Sequence, residues 1–420
     1  MLTAMLRRLV CLAGLLLAIV PSSAAAQGED SEWASSSGGH MAFTTSDQDT
    51  GVSTLQFVGA DGVQAPPEVV TDGYDDPLIA LGARGDAILV WYDDDSRLWA
   101  RYRPVGGVLG PREVVADGVD RDAEAIAVGL DGAGTATIVW PPEKPNETGG
   151  LAIVTRSESG SYSAPQAIAA YRVFAPDLAV TDNGSAVLAW RQTRSPKRPN
   201  GDQVAVSTRP AGAATFGAPV VVAGVQRNPS EPTVAANDRG DAIVGWSQNR
   251  DDAHSRDGVV FTVYGVFRAP GGGFGRTVKL NKTKDMGGPW AAVTSEGRMV
   301  LGWTDNLKRR AEVRVRSAAG VLGPPIRLTD DLEENSNLFP LPYGRGLIAW
   351  ADRDPGVSTI NVAQATEDLK LGPAQFITRV HGWFLGPSFA TSPQGGLVTV
   401  PRPPLRTGDA IRWWRVPLQP

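Results

Sequence analysis

The chain has almost no cysteine: Cys11 is the single one in 420 residues. It sits in an apolar run near the N-terminus, so the rest of the chain can build neither a disulfide framework nor a thiolate metal site. Histidine is nearly as scarce. His40, His254 and His381 are far apart in sequence and lack the spacing of metal ligands. No G-x-x-x-x-G-K-[ST] phosphate loop and no G-x-S-x-G nucleophile turn occurs. No segment holds a 3.6-residue apolar period over three turns, because Pro or Gly interrupts each candidate; a helical fold is excluded. A net charge of −5 offers no general attraction for nucleic acid. Asp47, Asp49 and Gly51, and separately Asp93–Asp95, look like fragments of a calcium loop. The bidentate Glu that completes such a loop is absent, so both read as solvated loops, and neither a metal nor a cofactor is expected.

What the chain does have is turn formers and tryptophan. There are 48 Gly, 32 Pro and 12 Trp, with 42% hydrophobic residues to form a core. That balance reads as many short elements joined by tight turns. At the N-terminus, Arg7 and Arg8 precede an apolar run from Leu9 to Val20 and the small-residue site Ala24–Ala26. This is the layout of a secretory signal peptide over residues 1–26, cut after Ala26. The run is shorter than the roughly 20 residues of a membrane span, and no second one follows. Residues 1–26 carry no acid, so removing the two arginines takes the formal charge from −5 to −7. The expected product is a secreted or periplasmic monomer spanning residues 27–420 as one domain.

A repeat specifies the fold. "GDAILVW" at Gly85–Trp91 returns as "GSAVLAW" at Gly184–Trp190, "GDAIVGW" at Gly240–Trp246 and "GRMVLGW" at Gly297–Trp303. Trp91, Trp140, Trp190, Trp246, Trp303 and Trp350 are 49, 50, 56, 57 and 47 residues apart. Phe43 and Val400 extend the series outward. Around each anchor lie a Pro-marked aliphatic strand, the tryptophan strand, an alternating third strand and a short fourth strand after a Gly turn. Four short strands at a period near 50 predict an all-β propeller, with eight blades from the eight anchors. The terminal units look incomplete, so a seven-bladed ring closed by shared fragments is the alternative. The continuous apolar run before each Trp predicts a doubly covered, innermost strand, with the indole filling the gap between blades.

The units "VTDNGSAVLAW", "TSEGRMVLGW" and "AANDRGDAIVGW" resemble repeats of secreted bacterial propellers. They are similar to the sialidase-like class and to periplasmic propellers with a turn before an apolar strand. The resemblance implies the propeller fold and, for the sialidase-like class, action on glycans. Thr181, Asn183 and Gly184 approximate the first half of a sialidase Asp-box, but Trp190 follows six residues after Gly184 rather than two or three. That family's arginine cluster, tyrosine nucleophile and acid have no matching positions here.

The segments after the tryptophans differ most from unit to unit, and variable loops on a repeated scaffold are where binding resides. Arg191, Arg194, Lys197 and Arg198 form one expected cationic tip, and Lys308, Arg309 and Arg310 another. Asp93–Asp95, Asp251, Asp252 and Asp257 add acid to the same rim. Trp413 and Trp414 are adjacent, so they point to opposite sides of a strand and leave one indole for a ligand. The residues favour a non-catalytic propeller that binds a protein or glycan partner through this face. The alternative is a glycan hydrolase using paired carboxylates at the central funnel.

Overall fold

The structure is a computed structural model. It describes residues 33–416 except 47–49, 74–76, 120–125, 143–149, 196–197, 227–228, 252–258, 284–285, 287–288, 306–307, 330–338, 341–346, 355–356, 365, 367, 382–387, 393–394 and 401–411. The expected signal peptide, Lys197, His254, Asp252, Asp257 and the Asp47–Asp49 stretch therefore lie outside the described residues. The described residues form strands and turns, and no helix among them is long and apolar enough to cross a membrane.

The strands assemble into eight antiparallel sheets with strictly sequential order, seven of four strands and a last one of three. We number them as units 1 to 8, covering 33–71, 78–116, 127–168, 173–226, 233–283, 290–329, 339–381 and 388–416. Unit 1 has its leading strand, Trp33–Ser35, which the sequence left unclear. Unit 8 has no described fourth strand, so seven complete blades are present. Among the described residues no strand is exchanged between the terminal units. Instead, the leading strands of units 1 and 8 lie side by side.

One expectation needs correction. The leading strand, not the tryptophan strand, is innermost: Leu78–Leu81, Ala127–Leu130, Val173–Val180, Thr233–Ala236 and Trp290–Val293 each lie against the next leading strand. The tryptophan strand is second from the axis, hydrogen-bonded on both edges and covered on both faces. Double coverage explains its unbroken apolar run, and nearness to the axis does not.

The tryptophans behave as core residues. Trp91, Trp190, Trp246 and Trp303 are at most 1% exposed. Each leans on the blade before it. Trp140 packs with Ile88, Val90 and Leu98 of unit 2, Trp190 with Val139 and Leu151 of unit 3, and Trp246 with Val187 and Val204 of unit 4. Burying so large a ring at each junction joins flat sheets that have no edge-to-edge hydrogen bonds between them.

A second device joins the blades nearer the rim. Arg103, Arg156 and Arg209 end the third strands of units 2, 3 and 4, and all three are buried. Arg156 grips Glu113 of unit 2 through Nε and Nη2, both at 2.6 Å, while its guanidinium lies 4.6 Å from the Tyr102 ring centroid. Tyr162 donates a further hydrogen bond to Glu113 at 2.8 Å. One blade earlier, Arg103 repeats the pattern with Glu68 at 2.8 Å and the Phe57 ring at 4.1 Å. In both cases the cation comes from one blade, and the carboxylate and aromatic ring from its predecessor.

The turns between first and second strands are uniform. In each of the first six units an i to i+4 backbone bond closes the turn, as in Thr181 N to Ser185 O. The residue before its last is a glycine at φ between +80° and +90°, among them Gly85 and Gly184, a region where a Cβ is strained. These turns converge on the axis. Ser37 of unit 1 donates to Asp182 Oδ2 of unit 4 at 2.7 Å, although the two blades are not neighbours. Gly132 N of unit 3 donates to the Asp182 carbonyl at 2.9 Å. Burial, opposed by the Ser37 hydrogen bond and aided by the charges of Asp238 and Asp131, raises the Asp182 pKa. The axis is thus bridged at this end. A Cβ at Gly38 would lie 1.7 Å from the Ala83 carbonyl oxygen of unit 2. Gly38→Ala is expected to lower stability by about 1–3 kcal/mol through forced backbone displacement, read as a lower urea midpoint at unchanged slope.

Candidate functional site

The face opposite the bridged turns carries the second-to-third connections and the links between blades. There the blades are unequal. In unit 2 the four strands have 4, 6, 6 and 4 residues. In unit 4 they have 8, 10, 12 and 7. The extra residues all lie at this end. The stretch expected to be a loop at 191–202 is a continued ladder, pairing Arg191 with Val204 and Ser195 with Arg198. Unit 5 does the same, pairing Gln248 with Thr262 and Asp251 with Val259. Against the six-residue second strand of unit 2, the ten-residue second strands of units 4 and 5 carry four extra residues, which at a strand rise of about 3.4 Å lift each hairpin roughly 14 Å. These two neighbouring hairpins therefore project from the rim, as does that of unit 7, whose ladder runs to Asp354 opposite Val357.

At their foot, the leading strand of unit 4 departs from its counterparts. Its register breaks between Phe174 and Asp177. Arg172 and Ala175 flank Phe174 with φ of 45° and 42°, left-handed values that cost a non-glycine residue about 1 kcal/mol or more. The arch is held by Thr193 N, which faces the carbonyls of Tyr171 at 3.0 Å and Arg172 at 3.3 Å. Two guanidinium groups lie near the Phe174 ring, Arg191 at 4.5 Å and Arg172 at 5.9 Å from its centroid.

The expected cationic residues fall into different roles. Arg191 is half-buried and committed: it donates to the Pro229 carbonyl at 3.0 Å and pairs with Asp202 at 3.7 Å. Arg194 lies in the second strand of unit 4 and Arg198 starts the third, placing both on the projecting hairpin. Lys308 is tied to Asp305 at 2.7 Å in its own turn, where Arg309 adopts φ 50° and Arg310 opens the next strand. The two cationic groups thus stand on separate blades, 4 and 6. Trp413 and Trp414 lie in the last strand, opposite Thr399 and Val398. The Asp93 carboxylate accepts from Trp99 Nε1 at 2.6 Å and from the amides of Arg97 and Asp95. It organises a turn. Among the described residues no group of three His, Cys, Asp or Glu side chains could hold a metal ion.

Asp177 was missed in the sequence. The backbone register makes Leu78, Ala127, Thr233 and Trp290 its counterparts in units 2, 3, 5 and 6, so it is a carboxylate at a mostly apolar level. It accepts from Leu178 N at 2.8 Å and from Val234 N of the next blade at 2.7 Å. Burial outweighs these hydrogen bonds and pushes its pKa up to about 6. The residue is deep in the ring yet keeps partial contact with solvent, as a group on the axial wall would. A folded pKa above the unfolded value near 3.9 means that its stabilising contribution is complete below that pH and is lost as pH rises through 6. Solvent contact tempers the loss to the order of 2 kcal/mol. Urea midpoints should therefore fall for this reason between pH 4 and 7, and Asp177→Asn should flatten that dependence.

Sheets in a ring, sequential strand order and indoles between blades define a β-propeller. No family model matches the chain, and no curated protein matches it in sequence. Among solved structures it is similar to the BP39L lectin from Burkholderia pseudomallei, with a TM-score of 0.53 and 12% identity over 84% of this chain and 100% of that one. A polysaccharide lyase of the PL25 ulvan lyase family gives 0.48 and 10% identity over 79% and 90% of the two chains. An α-L-arabinanase from Penicillium chrysogenum gives 0.39 and 11% over 72% and 92%. At such identities the likeness establishes the fold alone.

Proposed function

We propose that this protein is a secreted, non-catalytic propeller that binds a glycan through the face bearing the tall hairpins of units 4 and 5. The observation that carries this reading is the difference between the two ends of the ring. One end has uniform turns bridged across the axis by Ser37 and Asp182. The other has blades of unequal height with arginines and an aromatic ring at the foot of the tallest. A rigid ring with variation confined to one end is how a binding face is built. The lectin whose fold this chain shares makes a glycan the first ligand class to test. The non-catalytic choice is supported by the counterparts of Asp177, among which no second carboxylate occurs at the same level.

The test is a glycan array read with the mature protein, beside a variant in which residues 193–202 are replaced by Asn-Gly. That turn joins Gln192 to Gln203, which already face each other. Glycan binding by the parent and its loss in the shortened variant are expected. Release of reducing ends from a bound glycan would overturn the non-catalytic reading. Gln27 as the first residue of exported protein would support secretion.

A further inference from the structure

Resting on that reading, we infer that Arg172 and the Phe174 ring beside it form a subsite for the carboxylate or sulfate of an acidic saccharide. Arginine is a costly choice at φ 45°, where glycine is unstrained. Nothing in the fold of the arch needs its side chain: Thr193 N bonds to the Tyr171 and Arg172 carbonyls, which any residue supplies. The Arg172 guanidinium has neither a hydrogen bond nor an ion pair among the described residues, and it lies 5.9 Å from the centroid of the Phe174 ring. Arg191 on that ring differs, since Pro229 and Asp202 occupy it. Arg191 is therefore a fixed neighbour of Phe174, and Arg172 keeps its five donors available.

A planar guanidinium recognises carboxylate or sulfate through two parallel hydrogen bonds. An aromatic ring beside it offers a surface to the apolar face of a sugar. Both sit at the partly exposed start of the innermost strand of unit 4, at the end opposite the bridged turns and at the foot of the projecting hairpin. Asp202 does not compete for Arg172, being paired with Arg191. Asp177 lies deeper on the same strand, bonded to the next blade. A chain of acidic sugars lying across this face would place one acid group on Arg172.

The experiment measures binding of oligogalacturonate, sulfated dextran and neutral dextran to the mature protein, to Arg172→Gly and to Arg172→Lys. The parent should bind at least one acidic probe in preference to neutral dextran. Preference for oligogalacturonate identifies carboxylate and preference for sulfated dextran identifies sulfate. Arg172→Gly should weaken that binding about tenfold or more while raising the melting temperature, because strain is relieved as the ligand contact is lost. Arg172→Lys should keep part of the salt-sensitive affinity. Glycan binding by the parent that is equal for acidic and neutral probes, or unchanged in Arg172→Gly, overturns this inference and leaves the glycan reading standing. Failure of the parent to bind any probe here or on the array overturns both.

Discussion

Trp246→Ala is expected to be the most damaging single truncation, lowering stability by about 3–5 kcal/mol, the range for a large aromatic removed from a packed core. The ring is fully buried between units 4 and 5, against Val187, Val204 and Val244 and stacked on Tyr264 with centroids 5.9 Å apart. Neighbouring strands cannot collapse into the space, since each is fixed by its own hydrogen-bond ladder. Trp190→Ala and Trp303→Ala should behave alike. A control at the rim, Val108→Ala, removes a side chain from a residue 71% exposed and should stay within about 0.5 kcal/mol of the parent. Urea unfolding checks all four. A loss below 1 kcal/mol at Trp246 would remove the indoles as the mortar of the ring.

The second large effect belongs to Arg156. Arg156→Met should cost about 3 kcal/mol, toward the low end for a broken buried pair because Glu113 keeps 24% of its side-chain surface in solvent. The loss has three parts: two charge-assisted bonds, the cation above Tyr102, and a Glu113 left with Tyr162 alone. The double variant Arg156→Met with Glu113→Met should be less damaged than the sum of the singles, since no charge is then stranded. Burial disfavours the Glu113 carboxylate, yet the hydrogen bonds from Arg156 and Tyr162, with the Arg156 charge, hold its pKa below the usual value. That contribution is present above the unfolded pKa near 4.3 and is lost as pH falls through the lower folded value. Acid should therefore weaken the parent at this junction and spare the double variant.

The repeat was legible because it is periodic. Glycine at a fixed distance before tryptophan marks a turn that needs φ near +85° and a strand covered on both faces, and both were found. The radial order was not legible, because "LIAL" and "AILVW" are both apolar and only packing between blades shows which lies inside. The roles of Arg103 and Arg156 in the alternating third strands were not legible, since their partners Glu68 and Glu113 stand 35 and 43 residues away. The segment 191–202 looked like a loop because of its charges and prolines, whereas it continues the ladder above the rim. Arg172 and Asp177 had a signal in "YRVFAPDLAV". Its length and polarity depart from the short aliphatic leading strands, but only the backbone angles reveal the strain.

Because each indole rests on the blade made before it, the ring has a direction of growth. A chain emerging N-terminus first always presents a finished surface to the next module. Assembly can therefore advance one junction at a time, leaving the seam between the first and last units as the final step.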